Sequence, residues 1–198
     1  EKLTGKSWEE NMKEKILKPL GMNNTNLSTI DMEKSADRSL AFTTKDSIIK
    51  AIPYRNIDAM GPAGSVNSCA KDMAKWLITW VNGGKYNGKE IIPSSYVIQA
   101  MTTQMATGGG LPGTENTDVH TSGYGLAWGI SSYRGHYRVE HGGGIDGFIT
   151  STGFFPSDSI GIFVVSNQGS PVAVIRNFIA DRMLKLPYRN WNKSQIEA

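Results

Sequence analysis

Cysteine, long apolar runs and clustered positive charge are all scarce in this 198-residue sequence. Its single cysteine, Cys69, cannot form an internal disulfide, and we expect it to be a small buried hydrophobic residue. No apolar run approaches the roughly 18 residues that a membrane span needs. The net charge is +3 and no run of Lys or Arg exceeds two residues, so nothing indicates a nucleic-acid partner.

Metal-ligand spacing is lacking as well. The three histidines, His120, His136 and His141, form no His-x-x-x-His pair, and there is no Cys-x-x-Cys pair. We therefore expect neither a metal site nor a cofactor. What remains is an ordinary composition, 39% hydrophobic and 20% charged, at a length that suits one large domain or part of one.

The sequence begins at Glu1, without a methionine and without a signal-like apolar region. It therefore looks like the middle of a longer sequence. A signal peptide upstream is neither shown nor excluded by this beginning.

Helical patterns occupy most of the first half of the chain. A capping box, Ser7 with Glu10, predicts a helix that ends near Lys18, because Pro19 disfavours helix at the residue before it. Ser68 is the predicted N-cap of a longer helix, which two glycines stop. A short third helix and irregular chain with short strands complete this half.

Strand patterns dominate the second half of the chain. They cover residues 124–130, 133–139, 148–155 and 160–167. A long loop, 107–123, precedes them, and a final helical stripe runs from Val172 to Leu186. Helices first, then strands joined by short links, then one helix predict an α+β fold with an antiparallel sheet flanked by helices.

The stretch Glu140-His141-Gly142-Gly143-Gly144-Ile145-Asp146-Gly147-Phe148 stands between two predicted strands. His141 ends the first strand, and three glycines follow it directly. Glycine lets a ligand approach the backbone and leaves main-chain N–H groups free to point at it. A titratable ring beside such donors suits a site for an anion or a developing oxyanion. The alternative is a glycine-rich hairpin that carries a surface histidine.

Two further motifs with catalytic associations are incomplete or weak. His-Gly-Gly-Gly also occurs in α/β-hydrolases, but the Gly-x-Ser-x-Gly nucleophile elbow is absent and the strands do not alternate with helices. Two Ser-x-x-Lys matches, Ser47 with Lys50 and Ser68 with Lys71, could each bring a lysine amine next to a serine. We interpret both as chance matches, because Ser68 is explained by helix capping and Ser47 lacks a glycine or aromatic context.

Five blocks of the sequence together resemble the class C β-lactamase-like serine hydrolases. This family includes class C β-lactamases, D-alanyl-D-alanine peptidases and related esterases. The blocks occur in the order and spacing of the family, starting at Glu1 (EKLTGKSW), Ile16 (ILKPLGMNNT), Gly61 (GPAGSVNS), Tyr124 (YGLAW) and His141 (HGGGIDGF). One block is modest evidence, whereas five in order are strong.

The resemblance implies a serine β-lactamase and penicillin-binding-protein-like fold whose N-terminal part is missing here. Residues 1–186 correspond to the C-terminal portion of the domain, helical over about 1–105 and with the sheet and final helix over about 124–186. Residues 187–198 resemble a tail or a linker to a further domain. The missing N-terminal half is then a partner, and the sheet edge left without it predicts self-association into a homo-oligomer. Family members are periplasmic, secreted or membrane-anchored.

The resemblance also assigns the site. The family motifs are Ser-x-x-Lys, Tyr-x-Asn, and Lys-Thr-Gly or His-x-Gly, and only the third is present in its family position, at His141-Gly142-Gly143. His141, Gly143 and Gly144 are the implied catalytic residues, with the Gly144 N–H as an oxyanion donor. Gly142 and Ile145 are implied to contact a small acyl substrate.

By this resemblance, the parent protein acylates a serine with a β-lactam, a D-alanyl peptide or an ester and then hydrolyses the acyl-enzyme. Tyr54-Arg55-Asn56 spells Tyr-x-Asn but lies out of family order, so we expect this fragment alone to be inactive. His141 in place of lysine and Gly142 in place of threonine remove a permanent cation and a hydroxyl that would bind a substrate carboxylate. The alternative is a non-catalytic ligand- or peptidoglycan-binding module that keeps the cleft.

Overall fold

The computed structural model describes residues 1–107, 114, 116–120 and 122–192. Parts of the predicted loop 107–123 and the end of the tail therefore lie outside the described residues. Within them, a helical half precedes a six-stranded antiparallel sheet with helices on both faces, which confirms the predicted fold class. No helix in the described ranges is long and apolar enough to cross a membrane.

The first helix begins at the predicted capping box. The Ser7 hydroxyl accepts from the Glu10 N–H, and the Glu10 carboxylate accepts from the Ser7 N–H. These bonds start α1 (Trp8–Met12), which continues through a π-helical segment (Lys13–Leu17) into α2 (Lys18–Leu20).

The helix passes its predicted end at Lys18. Pro19 directly follows the π-helical segment, whose wider i→i−5 hydrogen bonding already interrupts the α-helical pattern, and Gly21 ends the helix with φ of 62°. The helix is therefore longer than predicted.

The rest of the helical half contains α3 (Thr29–Glu33), β1 (Ala41–Lys45), β2 (Ile48–Ile52), a 3₁₀ turn (Asp58–Met60), α4 (Gly61–Gly64), α5 (Ala70–Val81), β3 (Lys85–Tyr86), β4 (Lys89–Glu90) and α6 (Ser94–Ala100).

Ser68 does not cap α5, contrary to the sequence prediction. Cys69 occupies the cap position, is half-buried, and offers no side-chain hydrogen bond to the helix. The Ser68 hydroxyl lies 2.7 Å from the Thr25 hydroxyl instead. Ser68 does not cap the helix because its hydroxyl is hydrogen-bonded to Thr25, in the turn that follows α2.

Asp72, in the first turn of α5, is fully buried and holds the same turn. Its carboxylate accepts from the Asn24 N–H at 2.8 Å and the Thr25 hydroxyl at 3.0 Å, and pairs with Lys75 at 3.2 Å. Burial acts to raise the pKa of Asp72, but these hydrogen bonds outweigh it and hold the pKa below its usual range. The ionised carboxylate is therefore the form that stabilises this junction.

The sheet follows the helical half, with every neighbouring pair antiparallel. Its order is β10-β9-β8-β7-β6-β5, comprising β5 (Met105–Ala106), β6 (Ser122–Tyr124), β7 (Gly129–Tyr133), β8 (His136–Ile145), β9 (Phe148–Phe155) and β10 (Ile160–Ser166). Helix α5 covers one face, where Leu77 packs closely on Gly161. Helix α7 (Val172–Met183) covers the other, where Arg176 packs on Gly153.

The strand predicted over 124–130 is in fact two strands. β6 ends at Tyr124, the chain turns with Ala127 at φ of 64°, and β7 begins at Gly129. The turn carries Trp128 into the core, where its ring meets Phe154 edge-on at 5.0 Å. The alternation of large and small residues therefore reflects a buried turn and not one continuous strand.

The final helix buries a different face from the predicted one. Val174, Arg176, Ala180 and Asp181 are buried, together with Val172. Three residues of the predicted apolar stripe are partly exposed, namely Ile175 (39%), Ile179 (38%) and Met183 (49%). The prediction was wrong because Arg176 and Asp181 turn inward to form ion pairs.

The tail is folded as far as the structure describes it. Trp191 stacks on Tyr133 with ring centroids 5.5 Å apart and donates its indole N–H to Asp181 at 2.8 Å. The Tyr133 hydroxyl donates to the same carboxylate at 2.8 Å, and burial raises the pKa of Tyr133. Residues 187–192 are thus held against the sheet by α7. The domain boundary at 186 stays a prediction.

We predict that Asp72→Asn lowers the free energy of unfolding at pH 7 by about 1–3 kcal/mol, because the buried donors lose an ionised acceptor. The Asp72 pKa is depressed in the folded state, so its stabilisation is present above the unfolded pKa of about 3.9 and is lost as pH falls below it. Urea unfolding at pH 7 and at pH 3 should therefore show the difference between parent and variant shrinking in acid. Asp31→Asn, at an exposed i,i+3 pair with Lys34, is the control and should change little. Equal stability of the Asp72→Asn variant and its parent at pH 7 would contradict this role.

Candidate active site

Strand β8 has a partner on only one side along its second half. β7 pairs with it from His136 to Glu140, whereas β9 pairs with it as far as Ile145. From His141 onward, the edge that faces away from β9 has no strand partner among the described residues. The glycines thus lie in an extended arm of the β8–β9 hairpin and not in its turn.

The turn between β8 and β9 decides which way the glycine N–H groups point. Asp146 and Gly147 form a two-residue turn flanked by the pair Ile145 and Phe148. In such a hairpin the flanking residues are hydrogen-bonded to each other, and bonded positions alternate along the strand. The main-chain groups of Gly142 and Gly144 therefore point to the open edge. These N–H donors suit a carbonyl oxygen that gains negative charge.

The imidazole of His141 is oriented by contacts at both nitrogens. Its Nδ1 lies 2.5 Å from the carbonyl oxygen of Gly142, and its Nε2 lies 3.2 Å from the hydroxyl of Tyr124. Because a carbonyl only accepts, Nδ1 carries a proton. Trp128 meets the ring edge-on at 6.4 Å. His141 itself is exposed, so its position suits contact with a ligand.

Only one of the three consecutive glycines is required by packing. A Cβ at Gly143 would lie 2.8 Å from the hydroxyl oxygen of Thr150 on β9. A Cβ at Gly142 would come no closer than 3.5 Å to the Thr150 carbonyl, and one at Gly144 would meet nothing within 4 Å. The backbone geometry of Gly142 and Gly144 does not require glycine either, since φ is not left-handed there.

An ion-pair network anchors the strand immediately before His141. Glu140 pairs with Arg138 at 2.8 Å and with Arg176 of α7 at 2.5 Å. Arg176 also donates to the Thr152 carbonyl of β9 at 3.2 Å. Burial lowers the pKa of Arg138, and the nearby Glu140 carboxylate opposes that shift. On the α7 face of the sheet there is a cavity of about 440 Å³, lined by the glycine strand, residues 149–151 and the start of α7.

The β1–β2 hairpin borders the far end of the glycine strand. Gly147 of the turn, with φ of 79°, packs so closely on Ala41 that a Cβ would lie 2.6 Å from the Ala41 side chain. Arg55 pairs with Asp146 at 2.9 Å, and Tyr54 stacks on Phe148 at 6.3 Å. Ile145, the last residue of β8, is half-buried beside this contact.

The two Ser-x-x-Lys matches show no activated serine. Ser47 lies at φ of 61° in the exposed β1–β2 turn, and Lys50 follows in a strand, so the helical spacing that brings a lysine back to the serine is absent. The Ser68 hydroxyl is engaged with Thr25 as described, and Lys71 is exposed. Both observations agree with their interpretation as chance matches.

The other sequence candidates have structural partners. His136 pairs with Asp158 at 3.0 Å, and the His120 carbonyl accepts from the Ser132 N–H at 3.0 Å. The Tyr54 hydroxyl donates to the Ser39 carbonyl at 2.9 Å. No cluster of His, Cys, Asp and Glu in the described parts of the chain could hold a metal ion.

Sequence reasoning missed the residues that support His141. Arg138 and Glu140 alternate with apolar residues along β8, a pattern that signals a shared face but not the buried partner Arg176. Tyr124 was noted only as part of the YGLAW block. No sequence signal links it to His141, because the contact depends on how β6 and β8 are arranged around β7.

The comparisons with known proteins agree with this architecture. The chain matches the family model described as Beta-lactamase over residues 1–182. It is 30% identical over 207 residues to unguisins hydrolase ungD' of Aspergillus campestris (strain IBT 28561), a match that covers 98% of this chain and 36% of that protein.

Solved structures show the same fold. The octameric penicillin-binding protein homologue from Pyrococcus abyssi matches with a TM-score of 0.79 and 25% identity, over 93% of this chain and 39% of that chain. The D-amino acid amidase from Ochrobactrum anthropi SV3 matches with a TM-score of 0.66 and 18% identity, over 93% and 53%. The chain thus spans between about a third and a half of these proteins. Since the family model covers nearly all of it, the chain belongs to the β-lactamase family of hydrolases and has the β-lactamase-like serine hydrolase fold.

Proposed function

We propose that this chain is the C-terminal portion of a serine hydrolase that works through an acyl-enzyme. It contributes the third active-site motif, His141-Gly142-Gly143. The observation that carries the proposal is the open edge of β8, where free main-chain donors stand beside an oriented, exposed histidine. That combination suits binding a developing oxyanion and transferring a proton, two functions that acyl transfer requires in addition to the nucleophile.

Each residue of the stretch then has a role. The N–H of Gly144 donates to the oxyanion, and His141 binds the substrate or transfers a proton. Gly143 keeps the strand flat against Thr150, while Gly142 and Ile145 border the substrate on either side. The nucleophilic serine and its lysine come from the N-terminal half of the same domain, outside residues 1–198, because neither Ser47 nor Ser68 is activated by its surroundings.

The substrate is a small acyl compound, namely an ester, a D-alanyl peptide or a β-lactam, and the strand favours an ester without a carboxylate over the other two classes. No lysine stands at position 141 and no threonine at 142, so this strand offers no permanent cation to a carboxylate. The relative that is 30% identical is named as a hydrolase of unguisins, which supports hydrolysis as the reaction.

A second candidate is a non-catalytic module that binds a ligand or peptidoglycan in the same cleft. The observation in its favour is that the described residues provide a binding edge and an oriented histidine, but no activated serine. Such a module would bind acyl compounds at β8 without ever forming a covalent adduct.

The test compares His141→Ala with His136→Ala in the full-length parent, using a short-chain alkyl ester as substrate. Loss of a positioned proton-transfer group costs about 10²- to 10⁴-fold in rate, so His141→Ala should lower turnover by that factor. His136→Ala removes the pair with Asp158 and an edge-on contact with Phe155, both away from the open edge of β8, and should keep most of the activity. Parental turnover in both variants would show that His141 is structural.

A fluorophosphonate probe with mass spectrometry separates the two candidates. The hydrolase predicts a stoichiometric adduct on a serine upstream of Glu1 in the parent and no adduct on the 198-residue chain. No adduct on either protein would favour the binding module. An adduct on Ser47 or Ser68 would show that the nucleophile lies within this chain after all.

We further propose that residues 1–198, produced alone, associate with one another. β10 is the edge strand of the sheet among the described residues, and Val165 on it is 48% exposed. Ile175, Ile179 and Met183 add exposed apolar surface on the neighbouring helix α7. Unpaired edges and apolar patches favour association with another chain, and one structural neighbour is described as octameric.

Light scattering coupled to size exclusion, across a dilution series, should therefore show a dimer or larger species that dissociates on dilution. Val165→Lys places a charge on the edge strand and should shift the equilibrium toward the monomer. Leu3→Lys, at a site that is 99% exposed in the helical half, is the control. A stable monomer with a sharp thermal transition at every concentration would refute self-association.

A further inference from the structure

Tyr124 is held rigidly at the entrance to the open edge of β8. It ends β6, where it pairs with Gly129 of β7 and with Met105 of β5, and its carbonyl accepts from the Gln104 N–H at 2.9 Å. The next residue, Gly125, leaves no room to shift, since a Cβ there would lie 2.0 Å from the Ala100 carbonyl oxygen. The Tyr124 hydroxyl is therefore brought to His141 by a fixed backbone.

The contact between Tyr124 and His141 involves the only ring nitrogen that can exchange a proton freely. Nδ1 keeps its proton because it donates to the Gly142 carbonyl at 2.5 Å. Nε2, 3.2 Å from the Tyr124 hydroxyl, is therefore the nitrogen that gains or loses a proton. The partner on Nε2 is a group that both donates and accepts.

The direction in which the Tyr124 hydroxyl hydrogen points depends on whether Nε2 of His141 is protonated. When Nε2 is unprotonated, it accepts the hydrogen bond of the Tyr124 hydroxyl. When Nε2 is protonated, it donates to the Tyr124 oxygen, and the hydroxyl hydrogen must point elsewhere. Tyr124 is a partly exposed residue, so that hydrogen is available to a ligand on β8.

We propose that Tyr124 and His141 form a proton relay, in which Tyr124 delivers the proton of His141 to the leaving group of the substrate. The relay rests on the proposed hydrolase function. As the serine oxygen bonds to the carbonyl carbon, its own proton goes to its lysine base. The bond from the carbonyl carbon to the leaving oxygen or nitrogen then breaks, and its electron pair stays on the leaving atom.

The leaving atom takes the proton of the Tyr124 hydroxyl, and the Tyr124 oxygen takes the proton of Nε2 in the same movement. His141 ends as the neutral ring with Nδ1 still protonated. Before the next turnover the lysine releases the serine proton to solvent, and solvent restores the proton on Nε2. The relay extends the reach of a histidine whose ring is fixed between Gly142 and Trp128. It also explains why a hydroxyl, and not an apolar side chain, contacts Nε2.

The variant that tests the relay is Tyr124→Phe in the full-length parent. The matched control is Tyr137→Phe, which also removes one hydroxyl from a partly exposed tyrosine, here one that donates to the Met101 carbonyl at 2.5 Å and does not contact His141. Two readouts are combined, namely the ring ¹⁵N signals of the three histidines and the steady-state kinetics with an ethyl ester, whose leaving alkoxide requires a proton.

The relay predicts that Tyr124→Phe shifts the ring signals of His141 alone and changes its distribution of tautomers. It also predicts a fall in kcat of about 100-fold with little change in KM, the lower end of the range for a positioned proton-transfer group. Tyr137→Phe should leave both readouts at parental values.

Unchanged His141 ring signals in Tyr124→Phe would overturn the relay, as would a parental kcat in an active enzyme. Equal losses of kcat in Tyr124→Phe and Tyr137→Phe would assign both hydroxyls a purely structural role and overturn it too. A parent that neither turns over the ester nor labels with the fluorophosphonate would overturn the proposed function, and the relay with it. An active parent with an unaffected Tyr124→Phe variant overturns the relay alone.

Discussion

The antiparallel pairing of β8 with β9 is the interaction on which the site depends. Three consecutive glycines have little intrinsic preference for a strand. A glycine residue also loses more conformational entropy than other residues do when it becomes ordered. Seven residue pairs, from Val139 with Phe154 to Ile145 with Phe148, hold this stretch extended. Because β7 stops at Glu140, the same pairing leaves the opposite edge of the glycines open. The same strand pairing therefore orders the glycine backbone and leaves its other edge accessible to a ligand.

Glu140 links that strand to the rest of the protein. Its two carboxylate oxygens bind Arg138 of the same strand and Arg176 of α7, and Arg176 reaches across to β9. The Glu140 side chain is 26% exposed, so this network is partly buried, and removing one partner would leave a partly desolvated charge without its counter-ion. The residue directly before His141 is thus fixed from the α7 face, while Tyr124 and Trp128 orient the ring of His141 itself. The imidazole of His141 is therefore exposed, but neighbouring side chains hold it in one orientation.

Several features followed from the sequence alone. The capping box at Ser7 forms as predicted, and the order of helices and strands gave the α+β class. His141 and the glycines do lie between two strands, although β8 continues through the glycines to Ile145. The predictions failed where residues have distant partners. The turn before β7 places Trp128 in the core. The ion pairs of Arg176 and Asp181 bury a different face of α7, which leaves much of the predicted apolar stripe partly exposed.

The sequence by itself determined the local backbone: where helices begin, which stretches are extended, and that a histidine is followed by residues without side chains. These properties depend on φ and ψ preferences and on nearest neighbours, which a short window of sequence contains. Only the tertiary structure decided which side chains meet. Asp72 reaches Asn24 across 48 positions and Tyr124 reaches His141 across 17. Such contacts depend on strand register and on the return path of the chain, so no local pattern encodes them.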